Sequence, residues 1–142
     1  MSDLIAQKVK ELCNQIGLLV VATTNTDRPR CRYMTISMED DLSIWAVTHL
    51  SSNKIKDIKA NFNVCCLTPI DLKDWSSPHA IIHGTAEILD NPEIKHAYWR
   101  KSLRRFFQGP DDLEYLVLKI TPTKFEYFPP LSLKSEIYVR ST

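Results

Sequence analysis

Arg32, Thr48, Ser52, Asn53 and Lys54 bring together a guanidinium, two hydroxyls, an amide and an ammonium, the donor set an anionic ligand requires. Ser52-Asn53-Lys54 opens a segment in which Ile55, Ile58 and Phe62 recur at helical spacing. A helix start offers unpaired N–H groups and a partial positive charge, which together with Lys54 suit a phosphate monoester. The plainer reading is that Ser52 only caps the helix, which accounts for the serine and leaves the lysine without a task. Arg32 alternates with Met34, Ile36 and Met38 on one face of a strand pattern, so its guanidinium enters the rim of an apolar surface. There it needs a partner, either a carboxylate at the sheet edge or a bound anion.

Other reactive side chains point less clearly to chemistry. Cys13, Cys31, Cys65 and Cys66 include an adjacent pair and no C-x-x-C, a pattern of reduced thiols rather than a disulfide framework or zinc site. His79 and His83 lie four apart on a strand, about 13 Å from one another, too far to share one metal ion. No metal site is expected. Lys95, His96, Arg100, Lys101, Arg104 and Arg105 form a local basic run, compensated by Asp111, Asp112 and Glu114. With a formal net charge of +1 and no nucleic-acid motif, the composition gives no general attraction to nucleic acid or an anionic membrane. The charged start, with Asp3, Lys8, Lys10 and Glu11, fits neither a signal peptide nor a membrane span, so a cytoplasmic protein is expected.

The elements that must position these groups follow from periodicity. Leu4, Ile5, Val9, Leu12 and Ile16 predict an amphipathic helix over residues 1–16, stopped by Gly17. Residues 17–24, 30–38 and 42–48 read as strands joined by turns. A short capped helix follows, then strands at 64–68 and 79–89, a helix from Pro92 to Phe107, and two closing strands at 114–121 and 124–128. The first strands come as a run, so the pattern is α+β and mainly β, not an alternating βαβ wind. With only Gly17, Gly84 and Gly109, no glycine-rich phosphate loop can be written, so side chains must hold much of any phosphate. One domain is expected over 1–142, with a barrel at 17–128 and a tail at 129–142.

In their order, these pieces resemble the pyridoxamine 5'-phosphate oxidase-like FMN-binding split β-barrels, particularly the short general-stress-protein branch. The resemblance rests on Arg32-Tyr33-Met34-Thr35-Ile36, Val47-Thr48, Ser52-Asn53-Lys54, the turn 59–63 (KANFN) and the strand 79–89 (HAIIHGTAEIL). Trp99 and the segment 106–112 (FFQGPDD) extend it toward the C-terminus. It implies an antiparallel split β-barrel with peripheral helices, forming a homodimer with FMN at the subunit interface. It also implies cofactor contacts from Arg32, Tyr33, Met34, Thr35, Val47, Thr48, Ser52, Asn53, Lys54 and His79. Asn53 stands where the oxidases often have Arg, and His79 where they often have Gln near the flavin ring. Trp75, Trp99, Phe106 and Phe107 either approach the partner's flavin or pack in the core. The resemblance implies an oxidoreductase acting on a small molecule, with no catalytic acid or base assigned. The relatives that oxidise pyridoxamine phosphate carry a further C-terminal segment rich in Arg, Trp and His, whereas residues 131–142 read LSLKSEIYVRST, so that activity is not expected. Two alternatives remain at this stage: a non-catalytic flavin-binding redox module, and a split barrel for another ligand such as heme or a deazaflavin.

Overall fold

A computed structural model describes residues 2–25, 27–71, 73–74 and 76–140. Trp75 lies outside the described residues. Helix α1 (Ser2–Ile16) buries Ala6, Val9 and Cys13 on one face. It ends at Gly17, whose φ of +73° suits glycine and whose N–H donates to the Cys13 carbonyl at 3.1 Å. The Gly17 carbonyl in turn accepts from Ile36 N at 2.8 Å, tying the helix end to the barrel.

Strands β1 (Leu18–Thr24), β2 (Pro29–Thr35), β3 (Ser37–Met38), β4 (Ile44–His49), β5 (Asn63–Leu67), β6 (His79–Leu89), β7 (Tyr115–Phe128) and β8 (Glu136–Val139) form one antiparallel sheet. Its order is β2-β1-β5-β6-β7-β4-β3, with β8 added beside β7. The two ends of that path, β2 and β3, are separated in sequence by Ile36 alone. The sheet must therefore curl until its edges nearly meet, which makes it a split β-barrel. Alternation fills the barrel: Leu19 and Val21, Met34, Ile44 and Ala46, Val64 and Cys66, Ala80 and Ile82, and Leu118, Ile120 and Phe125 all point inward. Helix α2 (Asn53–Ala60) adds Ile58 to this core.

Several expected boundaries change. The strand expected over 30–38 divides at Ile36 into β2 and β3. The two closing strands are one 14-residue strand, β7, because the pairing shifts by one residue between His83 and Gly84 and accommodates Pro122 without a break. Gly84 is required there, since a Cβ would lie 2.6 Å from the Thr121 carbonyl oxygen. The helix expected from Pro92 to Phe107 is a short α3 (Pro92–Ala97) and a 3₁₀ turn (Lys101–Arg105), with Arg100 extended between them. Tertiary packing causes the break: Tyr98 stacks on Trp45 at 4.5 Å and Trp99 meets Tyr115 edge-on at 5.3 Å. These contacts build a second apolar cluster around Phe107, Tyr115 and Val117 on the outer side of β4 and β7. Phe62 lies beyond the end of α2 and is exposed. The tail contributes β8.

Candidate functional site

The site is assembled where β2, β4 and the start of α2 converge. Ser52 caps α2, its Oγ accepting from Lys54 N at 3.3 Å and from Lys54 Nζ at 2.8 Å. The lysine thus folds back over the helix N-terminus. Burial lowers the Lys54 ammonium from its usual range, and the nearby Arg32 charge lowers it further. Arg32 is also lowered by burial, against an opposing pull from Asp57. Two partly desolvated cations side by side favour an anion between or above them.

Arg32 has structural partners too. Its Nη1 donates to Thr23 Oγ1 at 2.8 Å and to the Val21 carbonyl at 3.1 Å. Thr23 Oγ1 then donates to Asp57 Oδ2 at 2.8 Å, and the same oxygen lies 3.9 Å from Arg32 Nη2 and 3.6 Å from Arg30 Nε. The carboxylate expected at the sheet edge is therefore present, supplied from α2 and fully buried.

From Lys54 a groove of about 670 Å³ runs along β2 and β4, within the range of roughly 300–1,000 Å³ common for small-molecule sites. Tyr33, Met34, Thr35, Val47 and Thr48 line it, as do Trp45 and Tyr98. Thr48 is buried, and its Oγ1 has no hydrogen-bond partner among the described residues. Such a hydroxyl keeps its donor and acceptor capacity unspent, although it is shielded from solvent beside the groove. The opposite wall comes from the broken helix: Arg100, Ser102, Arg105, Phe106 and Phe107. His49 lines this side, stacked on Phe107 at 5.7 Å and held by Ser51 Oγ at 2.7 Å and Glu114 at 3.4 Å.

Of the residues singled out in the sequence, Tyr33, Met34, Thr35, Val47, Thr48 and Lys54 line this one groove, with Ser52, Asn53 and Arg32 at its Lys54 end. His79 does not join them. It begins β6, stacks on Phe128 at 4.6 Å, and stands at the opposite end of that eleven-residue strand from Leu89, which pairs with Val117 beside Val47. The basic run is also divided: Lys95 is buried and donates to the Asp112 carbonyl at 2.9 Å, His96 pairs with Asp111, and Arg100 and Arg105 face the groove. Sequence reasoning missed Thr23 and Asp57. Their only signals were a hydroxyl at an inward position of β1 and a carboxylate one turn after Lys54.

Comparison with known proteins agrees with this architecture. The chain is 31% identical over 118 residues to General stress protein 26 of Bacillus subtilis, covering 83% of this chain and 84% of that protein. The crystal structure of General Stress Protein 26 from Bacillus anthracis superposes with a TM-score of 0.78 at 26% identity, covering 96% and 98% of the two chains. A heme binding protein of Mycobacterium smegmatis shares the fold at 10% identity and a TM-score of 0.76, over 94% of this chain and 57% of that one. The sequence profile described as pyridoxamine 5'-phosphate oxidase matches residues 5–128, and with the curled barrel and its groove this shows that the chain belongs to that family, which commonly binds flavin and whose members are often dimeric.

Proposed function

We propose that this protein is an FMN-binding flavoprotein, a single domain acting as a homodimer with the flavin at the subunit interface, and that it serves as an oxidoreductase toward a small molecule. The observation that carries the reading is the pairing of Lys54 and Arg32, two mutually repelling, partly buried cations at the capped start of α2, opening onto a groove with an apolar floor. A phosphate monoester satisfies the cations and the helix N-terminus. The unpartnered Thr48 hydroxyl and the walls formed by Met34, Val47 and Trp45 suit the polar chain and flat ring beyond it.

In this reading Ser52, Asn53 and Lys54 hold the phosphate with Arg32 behind them. Tyr33, Met34 and Thr35 from β2, and Val47 and Thr48 from β4, orient the remainder. The bound flavin supplies the electron-transfer chemistry, and the chain supplies placement, charge and exclusion of water. Arg100, Arg105 and Phe106 wall the side from which a small molecule enters. His79, distant from the groove of its own chain, reaches a flavin only from the second copy.

A second reading is a different ligand, favoured by the shared fold of the Mycobacterium smegmatis heme binding protein. His49 is the imidazole on the groove wall, but its Nδ1 already faces Ser51 and Glu114. Loading the protein with FMN or with heme, desalting it, and recording the visible spectrum and ligand-to-chain ratio separates the two. Retention of about one flavin per chain, lost in the Arg32→Ala/Lys54→Ala double variant, is the expected result. Retention of heme and release of FMN overturns the flavin reading. Turnover of reduced nicotinamide by the flavin-loaded dimer then distinguishes an enzyme from a non-catalytic redox module.

A further inference from the structure

Asp57 is the one fully buried carboxylate among the described residues, and nothing in the flavin reading uses it. It occupies the face of α2 that also buries Ile55 and Ile58, where an apolar side chain would pack without desolvating a charge. Its compensation is incomplete. Oδ2 accepts one short hydrogen bond from Thr23, the arginine nitrogens stand off at 3.6 and 3.9 Å, and Oδ1 has no partner among the described residues. A buried ion group of this kind is weak support for stability, which directs attention to what it positions.

The connections answer that question. Asp57 lies three residues after Lys54, almost one helical turn along the same short helix. Its hydrogen bond to Thr23 fastens α2 to β1, and Thr23 in turn accepts from Arg32 of β2. The guanidinium therefore has its plane fixed by two acceptors on β1, and the helix start is fixed to the same strand by the next bond in the chain. One relay, Arg32 to Thr23 to Asp57, sets the two halves of the anion site in register.

We propose that Asp57 is a positioning residue that aligns Arg32 with the Ser52–Lys54 helix start and thereby sets preference for the phosphorylated over the unphosphorylated flavin. This rests on the flavin reading above, but the relay can be tested without flavin. Charge alone argues the opposite way, because removing a carboxylate beside an anion site strengthens anion binding. The sign of the effect is therefore diagnostic.

The experiment compares wild type, Asp57→Ala, Asp57→Asn and Thr23→Val in the full chain. Affinities for FMN and riboflavin are measured, with thermal melting and, in flavin-free protein, the rate at which phenylglyoxal modifies Arg32. Asp57→Ala is expected to weaken FMN about tenfold, the scale of one misaligned charge-assisted hydrogen bond, with riboflavin changed less than about twofold. Asn at 57 keeps an acceptor for Thr23 and restores part of the loss. Thr23→Val reproduces the alanine phenotype, and carries the test together with Asp57→Asn if Asp57→Ala does not fold. Arg32 is modified faster whenever the relay is cut. Tighter or unchanged FMN binding, or equal losses for FMN and riboflavin, overturns the proposal. If wild type binds neither flavin, the flavin reading itself fails, and unchanged Arg32 reactivity in Asp57→Ala would overturn the relay independently.

Discussion

Replacing Lys54 with methionine keeps the aliphatic stem and removes the ammonium that donates to Ser52 Oγ at 2.8 Å. A hydrogen bond to a charged group contributes about 1.5–3 kcal/mol. Lys54 is only half-buried, so about 2 kcal/mol is the appropriate share for its contact with a phosphate, corresponding to roughly 30-fold weaker FMN binding. Riboflavin, which lacks the phosphate, serves as the internal control and changes by less than about twofold. Stability moves differently. Because burial and Arg32 both hold the ammonium below its ordinary range, the charged form is less favoured folded than unfolded, and the flavin-free variant melts no lower than wild type. Titrating flavin-free protein by fluorescence quenching and melting it without ligand gives both quantities. Unchanged FMN affinity, or a variant whose flavin-free form is destabilised, refutes the argument that these cations are held ready for an anion.

The same site dictates a pH dependence: on the flavin reading, FMN binding weakens several-fold from pH 7 to 5 as its phosphate passes from dianion to monoanion near pH 6, while riboflavin binding stays flat in parallel titrations. On the alkaline side FMN affinity falls before the ordinary lysine range is reached. There the difference in melting between wild type and Lys54→Met closes as pH rises, because the unfolded chain holds the lysine proton longer. Gly84→Ala places a Cβ against the Thr121 carbonyl and costs about 1–3 kcal/mol of stability by overpacking, measured by urea unfolding; no loss would show that the β6–β7 pairing is looser than described. In thiol labelling, Cys13, pushed by burial up to about 12, and the still more strongly raised Cys66 stay unreactive until unfolding, while exposed Cys31 reacts in the native protein. Rapid native labelling of Cys13 or Cys66 would contradict the packing of α1 on the barrel.

Local signals were enough for much of this architecture. The alternation of Arg32, Met34, Ile36 and Met38 gave the inward face of the segment that forms both sheet edges, and the adjacent Ser51 and Ser52 marked the start of α2, with Ser52 proving to be the cap. Gly17 marked the helix stop because a left-handed residue was needed there. What the sequence concealed depends on distant contacts. Helical periodicity continues past Ala97, but Tyr98 and Trp99 leave it to reach Trp45 and Tyr115, each many residues away. The break expected between strands at 114–121 and 124–128 is absent because the register shift that accommodates Pro122 requires Gly84 on another strand. Nothing local marked Asp57 for burial, since only the folded barrel brings Thr23 and Arg32 to it. The spacing of Thr48 and Lys54 suggested one site, yet not the arginine-bearing wall facing them.

That wall differs in construction from the end it faces. The Lys54 end is stitched into the barrel by a buried relay, whereas Arg100 to Phe107 is one short turn resting on aromatic rings. Evolution can therefore rewrite the two independently. Insertions or exchanges in the turn alter what the groove admits while leaving the barrel register intact, but a change at Thr23, Arg32 or Asp57 disturbs three elements at once. Such separability gives a small, nearly neutral domain a route to diversify in ligand choice without refolding around each new one.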